Sequence, residues 1–136
     1  TPIPEAYLLQ PNGLLISLSG LAAAYPRVLI FFSPGCEPCL EIAREVPTWQ
    51  ASIPRIAFHA VLPIRNPVID EQFGHLADTF LFADEQDSAA REFGIQATPA
   101  AVVLGADGYL AGGPVVGASA IQSLVGEVKS ALSDAS

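Results

Sequence analysis

The stretch "FFSPGCEPCLEIARE", Phe31 to Glu45, holds both cysteines of the chain, Cys36 and Cys39. It decides the fold because the periodicity of apolar residues changes inside it. On its upstream side, "RVLIFF" (Arg27 to Phe32) is continuously apolar after its arginine, and β-branched or aromatic. Such a run is expected of a strand buried on both faces. Downstream, Cys39, Ile42, Ala43, Val46 and Trp49 recur at three- and four-residue spacings, which puts them on one face of a helix. Pro47 falls inside that pattern and is expected to kink the helix. The order is therefore strand, a short "SPG" loop, and a helix whose first turn carries Cys36.

Working outward, "AYLL" and "LLISL" flank the turn signature "QPNG" and read as a β-hairpin. "RIAFHAVL" (Arg55 to Leu62) is a second buried strand, followed after "PIRNP" by a helical stretch, Val68 to Ala77. "TFLF" (Thr79 to Phe82) reads as a short strand, and "EQDSAAREFG" as a helix that stops at Gly94. "AAVVL" and "GYLAG" flank "GADG", giving a strand pair with an Asp-Gly turn. Ser119 to Leu132 is helical, with Ile121, Leu124, Val125, Val128 and Leu132 on one face. Strands alternating with helices imply an α/β fold around a mixed sheet.

With 136 residues, one domain is expected, large enough to build a core without cysteines to staple it. Six Lys and Arg face fourteen Asp and Glu, for a net charge of −8. That balance argues against nucleic acid and against an anionic membrane surface, both of which would repel the chain. Two long uncharged runs, Ala6 to Pro26 and Gly108 to Gly126, are each broken by turn formers, so neither reads as a membrane-spanning helix. No signal-peptide pattern is present and there is no methionine at all. The expectation is a mature or excised piece whose signal or anchor is missing.

A dithiol with this spacing can be a redox couple, a structural staple or half of a metal site. Zinc needs four ligands, and only His59 and His75 could complete the set. His59 lies mid-strand, where a core histidine is expected, and His75 sits in a polar loop or helix end. A structural disulfide would close a tiny loop, which constrains the unfolded chain little. The redox reading draws on position. A helix start offers unsatisfied N–H groups and about half a positive charge, which stabilise a thiolate at Cys36. Cys39, one turn further in, faces the core and can resolve a mixed disulfide formed at Cys36. Pro38 stiffens the first turn, where its missing N–H costs nothing.

Strand, CxxC at a helix start, and later "ATPAAVVL" resemble the thioredoxin superfamily, and more closely its extracytoplasmic TlpA/ResA/MauD-like redoxins. "EAYLLQPNGLLISLSGL" is similar to that branch's first hairpin, and "FLFADEQDSAAREFGIQATPAAVVLGADGYL" resembles its second half, including the insertion before Asp84. Glu37-Pro38 is the dipeptide of ResA-type members. The resemblance implies a thioredoxin-like α/β fold: a central mixed β-sheet flanked by helices, with an added N-terminal hairpin. It would comprise residues 1–26 as extension, 27–132 as core and 133–136 as tail. It further implies that Thr98-Pro99 is a cis peptide packed against the cysteines. The backbone of Thr98 would pair with an incoming substrate strand, and Pro99 would keep metals off the thiols. Gly35, Glu37 and Pro38 would complete the substrate-binding surface.

Departures from that pattern concern proton transfer. The buried carboxylate that many thioredoxins carry before CxxC falls on Ile30, and the tryptophan usually preceding the first cysteine is Gly35. The glutamate that ResA-like members place three residues after the second cysteine is Ile42. Glu41 and Glu45 read as a solvated helix face with Arg44. No proton acceptor for Cys39 is identified.

The function expected is thiol–disulfide exchange outside the cytoplasm, as a reductant, with Cys36 attacking and Cys39 resolving. Glu37 beside the nucleophile disfavours the thiolate slightly and tilts the couple towards reduction. The partners expected are a protein substrate carrying a disulfide or dithiol and an unidentified redox partner that could sit in a membrane. No cofactor is implied, because the cysteine pair carries the electrons. Three alternatives remain. A peroxiredoxin would need proline where Leu29 stands, a copper- or partner-binding module of the same fold uses the wider C-x-x-x-C, and the chain could be one domain of a larger redox membrane protein.

Overall fold

The structure, a computed structural model, describes residues 1–23, 25–64, 66–76 and 81–134. Its centre is the strand β3 (Arg27–Phe31), which pairs in parallel with β4 (Ala57–Leu62) and antiparallel with β6 (Ala100–Leu104). Because successive side chains point to opposite faces, the apolar run of β3 feeds two cores. Val28 and Ile30 join one together with Cys39, Ile42, Phe58, Val103 and Ile121. Leu29 and Phe31 join the other with Leu8, Leu18, Val61, Val102 and Leu104. That division is why no polar residue interrupts the run from Val28 to Phe32.

The first core is covered by α2 (Glu37–Ser52), α3 (Pro67–Phe73) and α5 (Ala118–Asp134), the second by the N-terminal segment and α4 (Ser88–Glu92). The N-terminal hairpin, β1 (Tyr7–Leu9) with β2 (Leu15–Ser17), is present in antiparallel register, and α1 (Leu18–Ala22) follows it. The hairpin joins the main sheet: Leu9 lies opposite Ala83 of β5 (Leu81–Ala83). At the far end, β6 pairs with β7 (Leu110–Val116), so the seven strands run β2-β1-β5-β4-β3-β6-β7. The expected architecture, a mixed sheet flanked by helices with an added hairpin, is the one observed.

Several boundaries differ from the sequence reading: β4 starts at Ala57 rather than Arg55, and β7 runs past "GYLAG" to Val116. "EQDSAAREFG" is not one helix but a 3-10 turn, Glu85–Asp87, followed by α4. Gln86 (φ 61°) and Asp87 (φ 55°) are both left-handed, which breaks the helical path between them. The helix expected from Val68 to Ala77 is observed over Pro67–Phe73, with Gly74 at its C-cap, and Ala77 lies outside the described residues. "TFLF" is likewise shifted: β5 covers Leu81–Ala83, while Thr79 and Phe80 lie outside the described residues, as do Ala135 and Ser136 of the expected tail.

α2 continues through Pro47 to Ser52. A proline there removes the N–H that would bond the carbonyl four residues earlier, that of Ala43. The Nε2–H of His75, just beyond α3, donates to that carbonyl at 3.3 Å. His59 is a core residue, 5% exposed, with its ring 4.6 Å from that of Phe82 and Nε2 3.1 Å from the Arg27 guanidinium. No helix among the described residues is long and apolar enough to cross a membrane.

Candidate active site

The site forms where β3 ends. Phe32 still donates to the Val61 carbonyl, and the chain then turns through Ser33, Pro34 and Gly35 into α2. Gly35 has φ +73°, a conformation that favours glycine. Its N–H donates to Gln72 Oε1 on α3 at 2.9 Å, so a second helix holds the loop just before the first cysteine.

Cys36 is the N-cap of α2, with extended backbone, and its Sγ accepts the N–H of Cys39 at 3.2 Å. The side chain thus takes the place of a capping hydroxyl, and the free amides of the first turn favour negative charge on sulfur. Glu37 and Pro38 occupy the exposed first turn. The two cysteines form a disulfide, Cα to Cα 5.1 Å. Their surroundings differ: Cys36 is half-buried, whereas Cys39 is 0% exposed and packs in the core with Ile42, Ala43 and Val46.

Opposite Cys36 lies the loop before β6. The Thr98–Pro99 bond is cis, and the Thr98 carbonyl oxygen is 3.8 Å from Cys36 Sγ. The Thr98 hydroxyl donates to Ser33 Oγ at 2.8 Å, tying this loop to the one that leads into Cys36. A third segment completes the surface. Gly117 N–H donates to the Pro99 carbonyl at 2.8 Å, and Val116, half exposed, pairs with Ala100. Sequence reading singled out neither Val116 nor Gly117. The signal available was a positive-φ glycine at a strand-to-helix junction, with exposed valine before it. Gln72 was missed because a single half-buried glutamine carries no pattern.

The carboxylates do not converge on Cys39. Ile30 and Ile42 are fully buried in the apolar core, Glu41 is exposed, and Glu45 accepts a hydrogen bond from Gln122 of α5 at 3.0 Å. Asp84 is 2% exposed, yet it is fully used: its oxygens accept from the amides of Ala89 and Ala90 (2.8 and 2.9 Å) and from the Ser88 hydroxyl (3.3 Å). A buried carboxylate so placed anchors the start of α4. Among the described residues no group of three or more His, Cys, Asp or Glu is arranged to hold a metal ion.

Beside the site, on the Ser33–Thr98 side, opens a cleft of ≈ 290 Å³. Its floor is Phe31, Phe32, Val61 and Leu62, and its outer wall is the turn and helix from Asp84 to Arg91.

No protein-family model matches the chain, and no curated protein matches its sequence. Solved structures do. The mixed oxidised and reduced forms of MTB dsbF share 26% identity at a TM-score of 0.74, covering 94% of each chain. A secreted Mycobacterium tuberculosis disulfide oxidoreductase homologous to E. coli DsbE shares 20% at 0.69, covering 92% of this chain and 95% of that one. StoA from Bacillus subtilis shares 17% at 0.65, covering 90% and 95%. In fold, and along nearly its whole length, the chain is like the thiol-disulfide oxidoreductases of the thioredoxin superfamily.

Proposed function

We propose that this protein is a thiol–disulfide oxidoreductase that acts outside the cytoplasm and reduces disulfides in other proteins. The observation that carries the reading is the asymmetric cysteine pair. One sulfur is capped by a helix-start amide and faces the Thr98 carbonyl, and the other is sealed in the core.

Once the pair is reduced, the Cys36 thiolate attacks one sulfur of a partner disulfide. A Cys36–partner S–S bond forms, the partner's own S–S bond breaks, and its second sulfur leaves as a thiolate. The partner strand lies along the Thr98 backbone, with Gly35, Glu37, Pro38 and Pro99 around it. Cys39 then attacks Cys36 Sγ, restoring the intramolecular disulfide and releasing the partner's first sulfur as a thiolate. Two electrons pass from the dithiol to the partner. With Ile30 and Ile42 where carboxylates could have stood, the Cys39 proton leaves to water or to the departing partner thiolate. A further redox partner, in solution or in a membrane, must return the electrons.

The exposed Glu37 disfavours the Cys36 thiolate slightly, and a less stable thiolate makes a more reducing couple. Structural neighbours that include a secreted oxidoreductase support the extracytoplasmic placement. The test is the reduction potential of Cys36–Cys39 in thiol–disulfide buffers. A value near or below about −270 mV fits a reductant, and one near −120 mV would make the protein an oxidant instead.

A further inference from the structure

The cleft beside the redox site has no part in the sulfur chemistry, yet it is built into the same loops. Ser33 and Thr98, whose hydroxyls are joined at 2.8 Å, are at once its inner wall and the frame around Cys36. A chain lying along Thr98 therefore reaches the cleft within a few residues of its reactive cysteine. At ≈ 290 Å³ the space far exceeds the ~30 Å³ share of one water. Phe31, Val61 and Ile95 belong to the core on this face of the sheet and give the cleft its apolar side, whereas Phe32 and Leu62 pack in the opposite core.

The outer wall is held in shape at a cost. Gln86 and Asp87 are non-glycine residues in the left-handed region, a conformation that persists only when its surroundings over-determine it. They do so here: Asp84 clamps the amides that follow, and the Arg91 guanidinium donates to the Gln86 carbonyl at 2.5 Å. The result presents Asp87, exposed and lining the cleft, at its mouth. The Arg91 cation on the same wall is tied to the backbone, and Asp84 is spent on α4. Two carboxylates against one guanidinium leave the lining net negative by one charge, in a chain whose net charge is −8.

We propose that this cleft is a specificity subsite for the protein partner: it takes a bulky apolar side chain, with a lysine or arginine next to it, close in sequence to the partner's disulfide cysteine. The inference rests on the dithiol reading. Apolar burial in the cleft supplies affinity, and Asp87 at the rim supplies a smaller preference for a cationic neighbour.

The test uses the reduced protein and synthetic peptides, each with a single cysteine held as a mixed disulfide with thionitrobenzoate. Attack by Cys36 on the peptide sulfur forms the Cys36–peptide bond and releases the coloured thionitrobenzoate anion. A Phe-Lys pair is scanned one to three residues on either side of the cysteine and compared with Phe-Ala, Ala-Lys and Ala-Ala. Each rate is divided by that for the symmetrical thionitrobenzoate disulfide, which needs no cleft. At one position the Phe-Lys peptide should react about tenfold faster, equivalent to about 1.4 kcal/mol. That advantage should be lost in Ala90→Trp, which fills the cleft from α4. In Asp87→Asn, which keeps a residue tolerant of the left-handed region, the Phe preference should stay while the Lys preference and its salt sensitivity disappear. Equal relative rates for all peptides, or a preference unchanged in both variants, would overturn the subsite while leaving the dithiol reading intact. A preference that vanishes as protein concentration rises would make a second copy the occupant and overturn it too. Failure to react even with the symmetrical disulfide would bring down the oxidoreductase reading itself, and the subsite with it.

Discussion

Pro47→Ala, alone and combined with His75→Ala, asks whether α3 repairs a hydrogen bond that a proline broke in α2. An interior proline costs about 3 kcal/mol relative to alanine in a helix. Proline also restricts the unfolded chain, which returns about 0.4–1 kcal/mol. Pro47→Ala should therefore stabilise the protein by about 2 kcal/mol. The Ala43 side chain is fully buried, and in the native chain His75 supplies the donor to its carbonyl. His75→Ala should cost about 1 kcal/mol there, the usual size of one such bond. In the Pro47→Ala background the N–H of the new alanine takes the Ala43 carbonyl, so the same His75→Ala change should cost close to nothing. The predicted coupling is about 1 kcal/mol, above the roughly 0.3–0.5 kcal/mol at which independent sites add. Trp49, the only tryptophan and half-buried on the same helix, reports the urea transition by fluorescence. The slope m should not change, and each 1 kcal/mol should move Tm by about 4 °C in a chain of this size. An equal cost of His75→Ala in both backgrounds would refute the reasoning, and so would a Pro47→Ala variant no more stable than the native chain.

Three further outcomes are expected. Reduced Cys39→Ser mixed with a disulfide peptide should accumulate a covalent adduct at Cys36, seen by mass spectrometry, whereas Cys36→Ser should not; an adduct on the latter reverses the roles. Asp84→Ala strips acceptors from two amides and a hydroxyl at the start of α4 and should cost about 2 kcal/mol in urea unfolding. A cost below about 0.5 kcal/mol would mean that the carboxylate does not hold α4. Gln72→Leu should speed hydrogen exchange at the Gly35 amide about tenfold or more, with global stability changed by less than about 0.5 kcal/mol, since the bond is exposed. Unaltered exchange at Gly35 would remove Gln72 from the site.

The legible parts of the molecule were those written as runs and spacings. Val28 to Phe32 announced a strand between two cores because both faces needed apolar residues, and Cys39 to Trp49 announced a helix by period. The turn at Gln86 and Asp87 was illegible for a physical reason. Its left-handed residues carry no glycine, and what holds them, Asp84 and Arg91, lies outside the turn itself. The candidate site divides in the same way. Cys36 and Cys39 stand out by spacing, and Thr98 and Pro99 by resemblance. Ser33, Gln72, Val116 and Gly117 matter only through partners distant in sequence: Thr98, Gly35, Ala100 and Pro99. No local pattern encodes such a pairing.

The sheet's two ends are guarded unequally. An edge strand exposes unpaired N–H and C=O groups that a stray chain can extend. β7 resists this with Gly112, Gly113 and Pro114 and with slips of register against β6, because proline has no N–H to offer and a broken register templates poorly. β2 has only its shortness: three residues, with Leu15 exposed in it, Leu14 exposed just before it and Tyr7 exposed on the neighbouring strand. Any change that loosens the hairpin from β5, to which, among the described residues, the pair Leu9 with Ala83 joins it, uncovers β5 as a second edge. In a weakened variant, aggregation should therefore start at the hairpin end of the sheet.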